Sequence, residues 1–108
     1  MAEITLSEIM HSIPSHFDRE KAKGFSGIVQ CYFTGEGASD WVVRIENQIC
    51  DVSEGLAPWV DLTVEADTQD GVDVFLGKLD AMRAYLSGRI KVSGDLSLGM
   101  KLIGLFNR

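Results

Sequence analysis

Residues 85–106 read YLSGRIKVSGDLSLGMKLIGLF, and three physical signals follow one another in that stretch. Gly88 predicts the end of a helix, because a glycine just past the last turn takes the left-handed closing conformation without steric cost. Ile90 to Val92 predicts a short strand with two β-branched residues on one face. Asp95 predicts the start of a last helix, since its carboxylate can accept from the free backbone N–H groups there. That helix is more apolar than a surface helix needs to be. Leu98, Leu102 and Leu105 form one stripe, and Leu96, Met100, Ile103 and Phe106 widen it. Only Ser97, Lys101, Gly104 and Arg108 form a thin polar or small face. An ordinary amphipathic helix needs an apolar stripe on the order of 100° wide. The surplus asks for burial, either in a tight core or as a lid over an apolar cavity.

Working back towards the N-terminus, Asp80 caps a helix that points Met82, Tyr85 and Leu86 inward and ends at Gly88, and Asp67 caps another, carrying Val72, Phe75 and Leu76 and ending near Gly77. Before them the period is two. Val60 to Ala66 alternates as a strand with Val60, Leu62, Val64 and Ala66 inward. Ile49 to Glu54, Trp41 to Glu46 and Gly27 to Thr34 read as three strands joined by hairpins, with Asn47-Gln48 as a two-residue loop. Gly55 to Trp59 is a loop containing Pro58, and Trp59 is expected to cover a sheet edge. Thr5 to Ile13 is a first helix, capped by Thr5 with Glu8 and stopped by Pro14. His16 to Ala22 is a short helical or turn segment closed by Gly24, with Phe17 reaching the core. The order α, β-meander, αα, β, α predicts an α+β domain with helices on one face of the sheet.

A chain of 108 residues is one domain by size, so residues 1–108 are read as a single unit. No apolar run approaches the roughly 20 residues that cross a bilayer. The N-terminus shows no secretory signal and the C-terminus is not a peroxisomal address, so the expected location is cytoplasmic. A formal net charge of −6 argues against nucleic acid, whose binding depends on Lys and Arg neutralising phosphates. It also argues against strong adsorption to anionic lipid, which leaves any membrane contact transient. Cys31 and Cys50 fall two strands apart in hairpin order, about 9–10 Å at normal strand spacing. A disulfide needs Cα atoms closer than about 7 Å, so free, inert thiols are expected.

Catalytic patterns fail on inspection. Gly35-Glu36-Gly37 lacks the third glycine of a dinucleotide loop and leads into a strand. Ser97 lacks the Gly-x-Ser-x-Gly elbow. Asp67, Asp70 and Asp73 lack the order of a calcium loop and read as helix-start residues. His11 and His16 have no partner cluster. The expectation is no enzyme, no metal and no cofactor. What remains is apolar volume: Val29, Cys31, Phe33, Trp41 and Val43 from the sheet, Phe75, Met82, Tyr85 and Leu86 from the paired helices, and Leu98, Met100, Leu102, Ile103, Leu105 and Phe106 from the last helix. From the residues alone that set reads more often as plain core than as the lining of a cavity.

The ordered set Gly77-Lys78-Leu79-Asp80-Ala81-Met82-Arg83-Ala84-Tyr85-Leu86-Ser87-Gly88, Ile90-Lys91-Val92-Ser93-Gly94-Asp95 and Met100-Lys101-Leu102 resembles the sterol carrier protein type-two, lipid-binding domain family. The resemblance extends back through Phe17, Ala22-Lys23-Gly24, Thr34-Gly35-Glu36-Gly37, Trp41 and Asp61-Leu62-Thr63-Val64, nearly the whole chain. It implies a five-stranded, mostly antiparallel sheet with about five helices on one face enclosing an apolar tunnel. The tunnel would take a fatty acid, fatty acyl-CoA, sterol or phospholipid, and the C-terminal helix would close it. The fifteen apolar residues above are then lipid-binding, and Lys78, Arg83 and Arg89 flank the lid elements as candidates for a head group. The resemblance also allows an accessory module that presents a lipid-like substrate to a partner enzyme. Gly99 stands where the family commonly has alanine, and Gln48 where it often has glycine.

Overall fold

The computed structural model describes residues 4–105. Helix α1 (Leu6–Ser12) runs into a 3-10 turn (Ile13–His16). Strands β1 (Gly27–Thr34), β2 (Ser39–Glu46), β3 (Ile49–Glu54) and β4 (Leu62–Asp67) follow. Then come α2 (Thr68–Phe75), α3 (Ala81–Leu86), β5 (Ile90–Gly94) and α4 (Leu96–Ile103). The fold is α+β, with four α-helices and one 3-10 turn against a five-stranded sheet.

Local chemistry sets the boundaries. Thr5, Asp67, Asp80 and Asp95 each accept a backbone N–H from the first turn of their helix, which satisfies donors that have no intrahelical partner. Gly88 closes α3 at φ +84°, and Arg89 N–H donates to the Ala84 carbonyl at 2.9 Å, the wrap-around bond of a left-handed helix end. The α-helix ends ahead of Pro14, with Ile13 as its C-cap, and the proline opens a different element. It lies at the start of the 3-10 turn, where a fixed φ and a missing N–H do no harm. Asn47 and Gln48 both take positive φ, 52° and 63°, as the tightest hairpin turn requires. Gln48 is held there by donating its Nε2 to the Arg19 carbonyl at 2.9 Å.

The strand order is β3-β2-β1-β4-β5. Three pairings are antiparallel, and the central one, β1 with β4, is parallel. Residues directly opposite one another share a face of the sheet. Val29 therefore lies beside Val43 and Leu62, and Cys31 beside Trp41 and Val64. Helices α1, α2 and α4 gather on this inner face, and α3 packs beside β5.

A parallel neighbour needs a crossover, and here residues 55–61 supply it. They carry the chain from edge strand β3 back over β2 and β1 on the outer face. That explains two residues that alternation alone would leave wet: Gln30 and Val42, paired across β1 and β2, are each only 2% exposed. The Gln30 amide satisfies the crossing backbone. Its Nε2 donates to the carbonyls of Trp41 (3.1 Å) and Gly55 (3.0 Å), and its Oε1 accepts from Ala57 N–H (2.9 Å). Asp61 completes the landing, accepting from Ile28 N–H at 2.8 Å while its own N–H donates to the Ile28 carbonyl at 2.9 Å. The crossover also corrects two expectations. Val60 belongs to it and not to β4, which starts at Leu62. Trp59 covers no edge; it is 65% exposed, because the loop is anchored by hydrogen bonds rather than by its ring.

Two glycines mark where helices and strands come close, with opposite consequences. A Cβ on Gly99 would lie 3.5 Å from Leu62 Cδ2, an ordinary contact. Gly99→Ala is expected to raise stability by up to about 1 kcal/mol, seen as a higher Tm. Gly94 sits at φ +103°, and a Cβ there would meet the Asp61 carbonyl oxygen at 2.5 Å, so Gly94→Ala is expected to cost about 1–3 kcal/mol. Gln30→Leu should cost about 1–3 kcal/mol in denaturant unfolding, since it strips the crossover's Ala57 N–H and Gly55 carbonyl of their partner.

Candidate functional site

The helices cover the inner face unevenly. Over β2 and β3, α1 buries Leu6, Ile9 and Met10. His11 meets the Trp41 ring edge-on, with centroids 5.3 Å apart, and Trp41 Nε1–H donates to Ser39 Oγ at 2.7 Å. At the C-terminal end of β1, α2 lies so close that a Cβ on Gly71 would fall 2.5 Å from the Phe33 ring. At the N-terminal end, α4 drops Leu98 onto the bare backbone of Gly27, where a Cβ would stand 2.7 Å from Leu98 Cδ1. Between these seats lies a row that runs straight across three strands: Cys31, Val64 and Val92 in register. All three are only half-buried, as are Ile90, Phe75 and Leu102, which pack against the same core. This half-covered apolar strip, floored by β1, β4 and β5 and bordered by α2 and α4, is the candidate site.

The apolar residues singled out from the sequence divide three ways. Val29, Phe33, Trp41, Val43, Leu98 and Leu105 are buried core. Cys31, Phe75, Met82 and Leu102 are half-buried and remain candidates for lining. Tyr85, Leu86, Met100 and Ile103 are exposed, and Phe106 lies outside the described residues. The inward direction expected for Tyr85 and Leu86 is therefore corrected. The short helix α3 seats Ala84, which is fully buried, and a six-residue helix that buries one such position turns its neighbours outward. Val64, Val92 and Ile90, half-buried on the same strip, were not among the residues singled out. Their alternation was visible, but their place beside Cys31 depends on which strands are neighbours.

The site holds no poised nucleophile. Burial pushes the Cys31 thiol up to about 12, and burial together with the Asp51 carboxylate pushes Cys50 up to about 11. Cys31 is half-buried as a residue, and burial alone accounts for the rise of its thiol. Both thiols are free. At the start of α4, Asp95 is held below the usual carboxylate range by the Ser97 hydroxyl at 2.7 Å and by Leu98 N–H at 3.1 Å, which strengthens the cap of the helix. Among the described residues no group of three or more His, Cys, Asp or Glu is arranged to hold a metal. No described helix is long and apolar enough to cross a membrane.

A cleft of about 390 Å³ lies on the flank of α4 and has a different character. It is lined by Lys21, Lys23, Gly24, Phe25, Lys101, Gly104 and Leu105. Asp18 N–H, donating to the Leu105 carbonyl at 2.7 Å, ties its two walls together. Of the three head-group candidates, Arg89 is engaged with Asp70 at 3.3 Å, and Lys78 and Arg83 are exposed.

Known proteins share both the sequence pattern and the fold. Hydroxysteroid dehydrogenase-like protein 2 of Xenopus laevis is 30% identical over 98 residues, 90% of this chain but 24% of that protein. The chain thus spans about a quarter of the length of that relative. Among solved structures, the inverting sec-alkylsulfatase Pisa1 from Pseudomonas sp. superposes with a TM-score of 0.84 at 22% identity, over 97% of this chain and 17% of that one. Palmitated SCP2L2 from Aedes aegypti superposes with a TM-score of 0.76 at 23% identity, over 97% and 96% of the two chains. The model of the SCP-2 sterol transfer family matches residues 6–107, and the chain belongs to that family.

Proposed function

We propose that this chain is a non-catalytic lipid-binding module that holds one apolar ligand, such as a fatty acyl chain or a sterol, on the strip between the sheet and helices α2, α3 and α4. The observation that carries this reading is the half-covered row Cys31–Val64–Val92 on the inner face of the sheet. A ligand lying there completes the burial that the helices leave undone. Each methylene removed from water contributes about 0.8 kcal/mol, so a sixteen-carbon chain offers roughly 12 kcal/mol gross. Lost ligand freedom removes several kcal/mol of that. The remainder supports micromolar binding without any specific charge contact, and broad specificity with it. The Aedes aegypti neighbour, described as palmitated, supports an acyl ligand. The desolvated thiols support a carrier over an enzyme, since a thiol with a raised pKa is a poor nucleophile.

A second reading has its own support. The dehydrogenase-like relative and the alkylsulfatase are much longer proteins in which this fold makes up about a quarter or less. We infer that the module also serves as an accessory part that presents an apolar substrate to an enzyme.

Native mass spectrometry of delipidated protein, titrated with palmitate and palmitoyl-CoA, tests the carrier. One ligand per chain is expected, and no uptake of either would overturn the reading. Val92→Trp, which fills the strip from an edge strand, should lower palmitate affinity roughly tenfold or more through the lost apolar contact, with Tm little changed.

The thiols give an independent check. At pH 8, iodoacetamide should label Cys31 in the native protein at least roughly a hundredfold more slowly than in the unfolded chain, because the thiolate is the reactive form. The folded state keeps thiol protons that the unfolded state releases above the ordinary value of 9.0. Stability should therefore fall as pH rises from about 9 towards 12. Cys31→Ala should fall less steeply over that window, as read by urea unfolding.

A further inference from the structure

Helix α4 carries two apolar stripes, and only one of them faces the protein. Leu98 and Leu105 are buried and Leu102 half-buried. Leu96, Met100 and Ile103 are 49%, 60% and 52% exposed. Leu96 and Met100 each stand two positions from the buried Leu98, which is roughly 200° of helical turn, and Ile103 lies three positions beyond Met100 on the same side, so the second stripe points away from the sheet. The surplus apolar surface evident in the sequence is thus presented outward and not consumed by the core. Beside it runs the cleft that brings Lys21 and Lys23 of the loop before β1 against Lys101 of α4.

The charge of the chain is segregated to match. Residues 26–76 hold ten of the sixteen acidic residues and, among the ten basic ones, only Arg44. Residues 77–108 hold six basic residues and two acidic ones, Asp80 and Asp95. A net charge of −6 therefore conceals a basic end, and the outward stripe of α4 lies in it. Nearby anions are partly engaged: Glu20 pairs with Lys23 at 3.3 Å, and Asp18 accepts from Lys21 N–H at 3.1 Å.

We propose that α4 is the element by which this protein docks on an anionic bilayer. Leu96, Met100 and Ile103 enter the interface, and Lys21, Lys23 and Lys101 lie against lipid phosphates. Apolar side chains flanked by cations are what a helix needs to lie in a headgroup layer, and each Lys near an anionic surface is drawn to it. The acidic bulk of the molecule is repelled from the same surface, which orients the encounter. Helix α1 does not suit this role: its apolar residues Leu6, Ile9 and Met10 are all turned inward, and its exposed residues include no Lys or Arg. Docking through α4 sets the lid, and not the crossover, against the membrane. The proposal does not depend on what the strip binds.

Co-sedimentation with large vesicles of phosphatidylcholine, alone or mixed with phosphatidylglycerol, tests this. Binding to the mixed vesicles is expected, weakened by added salt, with little binding to phosphatidylcholine alone. Met100→Glu and Lys101→Glu should each lower the affinity roughly tenfold or more while leaving Tm unchanged. Trp59→Glu, in the crossover on the opposite side of the sheet, should bind like the wild type. The proposal is overturned if the wild type ignores the mixed vesicles, or if Trp59→Glu loses binding as strongly as Met100→Glu. It is also overturned if Met100→Glu keeps full vesicle binding but loses palmitate uptake, which would assign the outward stripe to cargo. A dimer in light scattering that Met100→Glu dissociates would overturn it too, since the stripe would then be covered by a second copy.

Discussion

The parallel pairing of β1 with β4 is the constraint on which the rest of this molecule rests. Antiparallel neighbours need only a hairpin, but a parallel neighbour needs a chain that leaves one edge of the sheet and crosses to the other side of the central strand. In this protein the crossing segment has no helix of its own. Its backbone lies over β2 and β1 and has to be satisfied by side chains. A single buried amide, Gln30, supplies two hydrogen bonds to that segment, at Gly55 and Ala57, and a third to the Trp41 carbonyl of β2, and Asp61 fixes the landing beside Ile28. With the crossover committed to the outer face, α1, α2 and α4 are left to the inner face, and one apolar layer forms between them and the sheet.

That layer is closed where the backbones approach and open where they do not. Glycines make the close approaches: Gly71 admits the Phe33 ring and Gly27 admits Leu98. Each brings a helix down onto one end of β1. Two helices seated at opposite ends of a strand cannot also cover its middle, so Cys31, Val64 and Val92 are left half-buried. The apolar strip is thus a geometric consequence of where the small residues lie. The absence of poised acid, base or thiolate chemistry on it agrees with a surface whose energetics are those of apolar burial.

The same geometry accounts for α4. A helix of eight residues packed at one end of the sheet can turn only one stripe inward. Leu98, Leu102 and Leu105 have that position, and Leu96, Met100 and Ile103 consequently face solvent beside a lysine-lined cleft. Net charge describes the molecule poorly here, because it averages an acidic sheet with a basic C-terminal wing.

Much of this was legible in the sequence, because much of it is set by neighbours along the chain. The helix starts at Thr5, Asp67, Asp80 and Asp95 follow from side chains that satisfy free N–H groups within three residues. The helix end at Gly88 follows from steric freedom at positive φ, and the inner face of each strand from alternation. The free cysteines followed from hairpin order. Resemblance along the chain pointed to the family and its fold. What only the tertiary structure decided was everything that depends on which segments meet. The landing of β4 beside β1, the burial of Gln30 and Val42, and the row Cys31–Val64–Val92 all rest on contacts between residues far apart in sequence. The direction of α3 and the choice between the two stripes of α4 do so as well. An apolar residue at helical spacing declares that it can be buried; the space available at Gly27 and Leu62 determines which of two equally apolar stripes is.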